Sequence, residues 1–467
     1  MDLSLFDCVS PLDYRYYGDD PRMVELLAPY VTERAYIRSE LEVEAAAARV
    51  LAKRGVCSQA VADEITRAID LVDPEDVHAE DKRIHHDTRA MVNCLRDKVS
   101  DEAKPFVHLS LTSFDVKDTA LALRMKRCAH EAVIPELLKL EQILIDLSLR
   151  EARTLQMGRT HGQHAVPITF GFAVAQFVSR LGGRIEAIRV AADNLRGKIS
   201  GAVGAYNASG LFFDDPLEFE REILAELGLE PSPGSTQIVE AEFVTDYMHA
   251  LVSAFGVLAN IADDMRNLQR TEIAEVGEKF EAEQVGSSTM PHKRNPWNFE
   301  NVKSMWKVMV ARMQTVYADQ ISEHQRDLTN SASQRFLPEI IVGLVNSTRR
   351  LQRIMGKLVT DADRMKKNFD MTADMVAAEP AYILLAAYGH PDAHEAVRRL
   401  TLEAQASGRP LGQLVDEAQD LAPYLSKFTD QQRALLRDTT LYLGAAVEKT
   451  EALCRMWAER LGLSASV

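Results

Sequence analysis

The chain has 467 residues, 46% of them apolar and 26% charged, with 54 basic side chains against 69 acidic ones and a net charge of −15. That is material for about three domains with a large core, and it excludes a collagen-like, disordered or small disulfide-stapled protein. The acidic balance argues against a protein that tracks nucleic-acid phosphates, while a local cationic pocket for a small anion fits within an acidic surface.

The N-terminal stretch MDLSLFDCVSPLDYR carries acids and no basic residue before Arg15, so it does not read as a signal peptide. Five scattered cysteines, Cys8, Cys57, Cys94, Cys128 and Cys454, form no CxxC pair, which favours a reducing compartment and argues against structural zinc. His85 and His86 precede Asp87 in IHHDTRAMV, and packed or solvated histidines explain such a cluster without chemistry. The run from His108 to Asp115 then sits before a long helix predicted over about 115–152, with Pro135 as a kink or interruption. Within it Ser113 and Asp115 suit helix caps as readily as a ligand.

The segment Gly158-Arg159-Thr160-His161-Gly162-Gln163-His164, followed by Pro167, reads as a loop. Its imidazoles suit proton transfer near neutral pH. As metal ligands His161 and His164 lack a nearby carboxylate or cysteine, and no metal is expected there or at His390 and His394. Pro391 makes His390 a candidate helix cap. Residues 160–179 form the longest uncharged stretch, but two His, two Gln and a Pro suit a buried core helix better than a membrane span.

Further helices are predicted over about 168–196, 298–322 and 333–359. Val244, Met248, Leu251, Phe255, Leu258, Ala262 and Met265 advance by steps of four and three, forming one stripe of another long helix. Period-two alternation is nearly absent, so the expected fold is all-α. Soft boundaries near 111 and 364 divide it into an N-terminal helical domain (1–111), a central long-helix bundle (112–364) and a C-terminal helical domain (365–467).

Two more loops carry dense chemistry. Gly286-Ser287-Ser288-Thr289-Met290-Pro291-His292-Lys293-Arg294-Asn295-Pro296 offers glycine and hydroxyls that let backbone N–H groups approach an anion, a point charge at Lys293 and an amide at Asn295. It lacks the P-loop order, so phosphate transfer is not implied. A serine here could be nucleophile, base or donor, and a solvated polar loop is the plainer reading. In Gln325–Arg335, a turn could aim Arg326 and Arg335 at one phosphate, or both could be solvated.

Together these loops resemble the fumarase/aspartase superfamily of lyases over nearly the whole chain. GSSTMPHKRNP at 286–296 is similar to its signature loop. SPLDYRY at 10–16, HHD at 85–87, LTSFD at 111–115 and GRTHGQHAVPITFG at 158–171 resemble the branch that acts on succinylated purine nucleotides. The resemblance implies anti β-elimination of fumarate with no cofactor, from adenylosuccinate to give AMP and from the succinylaminoimidazole carboxamide ribotide to give the carboxamide ribotide. It implies Ser287 as general base, with Ser288 its rival, and His161 as general acid, with His86 supporting it or binding the substrate. Lys293, Asn295 and the backbone around Met290 would stabilise the carbanion. Thr112, Ser113 and Thr160 would hold the succinyl carboxylates. Arg15, Tyr16, His85, Asp87, Arg326, Ser331 and Arg335 would hold the nucleotide, and Gln237 would contact substrate.

Two positions depart from the pattern. His85 stands where relatives commonly have Arg, which lowers the positive charge for a phosphate. YGHPDAHEAV lacks an Arg that many relatives have before AHE. The resemblance further implies a cytoplasmic homotetramer whose active sites draw on three subunits, with no nucleic-acid or membrane partner. Other superfamily chemistries, argininosuccinate cleavage or carboxymuconate cycloisomerisation, remain alternatives, as does a silent helical homologue. His161 and the Arg15-Tyr16 pair argue against the cycloisomerase. Joint retention of Ser287, Lys293, Asn295 and His161 argues against the silent homologue.

Overall fold

The computed structural model describes residues 7–279, 289–290, 292–322, 324–326 and 328–465. The chain is predominantly helical, as expected, and the helices start where the sequence supplies caps. After α1 (Pro21–Val31), Thr32 accepts the Ala35 N–H at 3.2 Å and opens α2 (Glu33–Lys53). Ser58 caps α3 (Gln59–Ala68), and Asp73 with Pro74 starts α4 (Pro74–Ile84). His85 ends α4 in the left-handed region at φ 57°, and His86 immediately caps α5 (Asp87–Arg96).

Thr112 is the N-cap of α6 (Ser113–Cys128), in a capping box with Asp115, whose Oδ2 accepts the Thr112 N–H at 2.9 Å. Ser113 is therefore the first helical residue rather than the cap. The helical run expected over about 115–152 is interrupted near Pro135, as expected, and forms two helices. A π-helical turn, Ala129–Val133, separates α6 from α7 (Ile134–Arg150), because Pro135 has no N–H to continue the ladder and the backbone widens just ahead of it.

The expected loop at 158–164 is part of a β-hairpin. β1 (Leu155–Thr160) pairs antiparallel with β2 (Gln163–Thr169), Thr160 opposite Gln163. His161 and Gly162 make the tip at φ 55° and 76°, the two positive values that a two-residue type I′ turn demands. Then follow α8 (Phe170–Asp193), α9 (Pro216–Glu226), α10 (Glu242–Leu268), α11 (Trp297–Ala318), α12 (Leu337–Met355) and α13 (Ala362–Asp370). Of the stripe on α10, Met248, Leu251, Phe255, Leu258, Ala262 and Met265 are buried.

The chain divides into two compact units. The first comprises residues 1–138, 183–259 and 302–350. At its centre α2 presents Leu41, Val43, Ala45–Ala48, Val50 and Leu51 to α3, α6 and α9, small alanines allowing close approach. One buried ion pair, Lys198 with Asp115, sits in this unit, both side chains fully buried. Asp115 also accepts the Gly201 N–H at 3.0 Å, and the Lys198 ammonium donates to the Gly201 carbonyl at 3.1 Å, so the pair is satisfied as burial requires.

The second unit comprises residues 139–182, 260–301 and 351–467. It holds the hairpin, against which α13 packs, and a satellite core of Met157, Phe369 and Val376. Short helices near the C-terminus gather around Ala381, Leu385, Leu411, Val415 and Leu436. No described helix is long and apolar enough to cross a membrane.

Candidate active site

In the first unit, the join of α4 to α5 displays the HHD run. His85 and His86 are exposed, and the His86 Nδ1 accepts the Arg89 N–H at 3.2 Å, so only Nε2 faces outward for other work. Asp87, the first residue of α5, is half-buried. Its carboxylate accepts the Lys117 ammonium at 2.6 and 2.7 Å and the Thr88 N–H at 2.7 Å, with Arg335 at 3.5 Å. Burial would raise its pKa, but the Lys117 hydrogen bond and charge outweigh this and hold it below the usual carboxylate range.

Asp87, Ser331 and Arg335 line one cleft of about 710 Å³ together with Glu33, Tyr36, Lys117 and Gln334. Glu40, a partner of the cleft residue Tyr36, is buried and pushed up to about 8, chiefly by desolvation. Lys117, Tyr36 and Glu40 were not legible as site residues. The only sequence signal for Lys117 is a charge beside Asp118 in the helical run Val116–Leu121.

The remaining residues of this unit are held by their backbones. Arg15 is exposed and Tyr16 half-buried in a π-helical turn, Leu12–Tyr17, tied to α12 by the Asn346 side-chain amide donating to the Tyr16 carbonyl at 2.9 Å. The Gln237 N–H donates to the Gln325 carbonyl at 2.9 Å, which brings Gln237 beside Arg326. Arg326 itself takes φ 87°, and its guanidinium donates to the Ser322 hydroxyl at 2.9 Å. Arg326 and Arg335 therefore have separate partners rather than a common one. Thr112 and Ser113 open α6, half-buried. Asp118 further along α6 accepts the Val239 N–H at 2.8 Å, and burial pushes it up to about 7. This bond anchors the strand of chain that carries Gln237.

In the second unit Thr160 and His161 stand exposed at the hairpin tip. The base of the hairpin is fixed by a buried carboxylate. Glu275 accepts Arg159 at 2.5 Å, Gln156 at 2.8 Å and Asn368 at 2.9 Å, so Arg159 is structural. His164 bonds the Thr372 hydroxyl at 2.8 Å, and burial with the nearby Arg159 charge lowers its pKa.

Ser287, Ser288 and Pro291 of the signature-like loop lie outside the described residues. Beyond them the Lys293 N–H donates to the Met290 carbonyl at 3.0 Å, and Met290 and Lys293 are exposed while Asn295 is half-buried. Glu278, just before the loop, accepts the Asn298 N–H at 3.1 Å, the Phe299 N–H at 3.2 Å and the Asn298 side chain at 2.7 Å. One buried carboxylate thus caps α11 and ties the two ends of the loop together.

Residues 14–310 match a family model described as lyase, and residues 322–430 match one described as adenylosuccinate lyase C-terminal. The adenylosuccinate lyase of Pyrococcus abyssi is 36% identical over 90% of this chain and 92% of its own. That of Archaeoglobus fulgidus is 32% identical over 96% and 98%. Among solved structures, the 3-carboxy-cis,cis-muconate lactonizing enzyme of Pseudomonas putida superposes with a TM-score of 0.79 at 26% identity, covering 95% of this chain and 98% of that one. A fumarate lyase from Mesorhizobium sp. BNC1 gives 0.80 at 22% identity over 93% and 98%, a likeness of fold.

Proposed function

The chain belongs to the adenylosuccinate lyase family, and from that premise we propose that it eliminates fumarate from adenylosuccinate, leaving AMP. The same site would open the succinylaminoimidazole carboxamide ribotide. The observation that carries this reading is similarity along nearly the entire length to proteins of that name, the C-terminal segment included. The fold likeness to a muconate-lactonizing enzyme does not compete with it, because its identity is lower.

The chemistry removes a weakly acidic proton beside a carboxylate and expels nitrogen from the neighbouring carbon. Ser287, as alkoxide, takes the Cβ proton, with Ser288 the alternative base. A serine can do so only among cations and without water. Negative charge then develops on the adjoining carboxylate, where Lys293, Asn295 and the backbone N–H groups at Met290 stabilise it. His161 protonates the departing nitrogen, supported by His86. The exposed tip position of His161 supports this role, since the proton must reach a bound ligand. Thr112, Ser113 and Thr160 hold the succinyl carboxylates. Arg15, Tyr16, His85, Asp87, Gln237, Arg326, Ser331 and Arg335 hold the nucleotide. The common cleft of Asp87, Ser331 and Arg335 supports the last assignment.

We also take the working form to be a cytoplasmic homotetramer. Val308, Val310 and Tyr317 are exposed on α11, apolar surface that another copy would cover. None of the five cysteines forms a disulfide among the described residues, which suits a reducing compartment. An ultraviolet assay with adenylosuccinate tests the function. Turnover is expected, with large losses in Ser287→Ala and His161→Ala. No turnover would overturn the substrate, and activity surviving Ser287→Ala would overturn the choice of base.

A further inference from the structure

The cleft of the first unit contains a cation that the elimination itself does not need. Lys117 projects from α6 and is 17% exposed, and its ammonium donates to both oxygens of Asp87, at 2.7 and 2.6 Å. Several charged or titratable groups surround this pair. Glu33, Tyr36 and Glu40 come from α2, Arg124 from α6 and Arg335 from the segment before α12. Burial pushes Glu40 up to about 8 against the opposing pull of Lys117, which favours its acid form beside the pair. Arg335 is 54% exposed and only loosely engaged, 3.5 Å from Asp87 and 3.6 Å from Glu33.

Without Lys117, the Asp87 carboxylate would have one strong cation in reach, the Arg335 guanidinium, and a bidentate pair would form between them. That pair would turn the Arg335 donors away from any incoming anion. With Lys117 holding both oxygens, the carboxylate is fixed in one orientation against the first turn of α5, and Arg335 keeps donors free for a ligand. A compact ammonium suits this task, since it neutralises the acid without occupying the cleft.

We propose that Lys117 is a positioning residue for the reaction: by gripping Asp87 it fixes that carboxylate and keeps Arg335 open to the anionic end of the nucleotide. The proposal rests on the reading that Asp87 and Arg335 contact substrate.

The test compares Lys117→Met, Lys117→Gln, Lys117→Arg, Asp87→Asn and the double variant Lys117→Met/Asp87→Asn in the full-length protein. Two quantities are measured, the pH profile of adenylosuccinate turnover and the affinity for AMP by calorimetry. Lys117→Met is expected to raise KM and weaken AMP binding by about tenfold, with kcat changed less. The acidic limb of its kcat/KM profile should move to higher pH, because Asp87 has lost the cation that keeps it ionised. Lys117→Arg should restore most of the affinity, and the double variant should be no worse than the weaker single one. A purely packing role would leave the pH limb in place. Should Lys117→Met not fold by circular dichroism, Lys117→Gln is read by the same criteria. Asp87→Asn without effect on KM or AMP affinity would remove the reading beneath the proposal. Asp87→Asn with an effect, beside uncharged Lys117 variants that keep wild-type KM and pH limb, would overturn the proposal alone. So would strictly additive losses in the double variant.

Discussion

At the scale of single residues, a substitution can separate the turn role of His161 from the proton-donor role proposed for it. Its backbone sits in the left-handed region at φ 55°, where asparagine is at ease and alanine is not. His161→Asn should therefore keep the melting temperature of the parent while losing about 10²–10⁴ in kcat if the imidazole is the proton donor. An unchanged kcat would show that the position matters only for the turn. A second residue governs stability rather than chemistry. Glu141 on α7 is fully buried, and neither carboxyl oxygen has a partner among the described residues. Burial alone pushes its pKa up to about 9. Because the folded value lies above the unfolded one, the fold favours the protonated acid, and the stability this contributes is present at low pH and drains away as pH rises. Glu141→Met removes the titration. Its unfolding free energy, from urea titration, should exceed that of the parent by a margin that widens between roughly pH 5 and 9, by up to about 1.4 kcal/mol per pH unit. A margin independent of pH would mean that the carboxyl is solvated.

At the scale of elements, the hairpin depends on how closely α8 can start against the end of α7. A Cβ on Gly171 would lie 2.3 Å from the Ser148 carbonyl oxygen and 2.6 Å from the Ala152 nitrogen, both backbone atoms that cannot step aside. The Gly171 N–H also donates to the Glu151 carbonyl at 2.9 Å. Gly171→Ala should cost about 1–3 kcal/mol, read as a lowered thermal midpoint, and an unchanged midpoint would refute the close approach. The same region shows where sequence reading fails. The stripe on α10 was legible, because a 3.6-residue period is a local signal; α6 was legible as a helix, but the sequence points to a cap at Ser113 and Asp115 rather than at Thr112. The hairpin was not legible. A bulge between Met157 and Arg159 and the proline at 167 break its alternation, and His-Gly at the tip is not one of the common turn pairs. The cleft was half legible. Asp87, Ser331 and Arg335 stand in recognisable motifs, but Lys117 meets Asp87 across 30 residues, a pairing created only when α5 and α6 come together.

At the scale of the whole molecule, the proposed site residues come from segments as far apart in the chain as Arg15 and Arg335. If each site is built by one chain, every chain with a single lesion has a dead site, and mixing two such variants changes nothing. If each site takes the His161 hairpin from one subunit and the Ser287 loop from another, a mixed tetramer can assemble sites in which both segments are wild type. His161→Asn and Ser287→Ala, each inactive alone, should then regain activity when denatured together and refolded. With random reassortment and independent donation of the two segments, about one site in four is free of both lesions, so recovery should approach a quarter of wild type. The gain must come from exchange of subunits, so mixing the folded variants without denaturation should give less or develop slowly. Sedimentation of the refolded mixture shows whether the tetramer has formed. A tetramer that regains no activity would assign both segments to one chain, and a monomer with wild-type turnover would sink the shared-site assembly altogether.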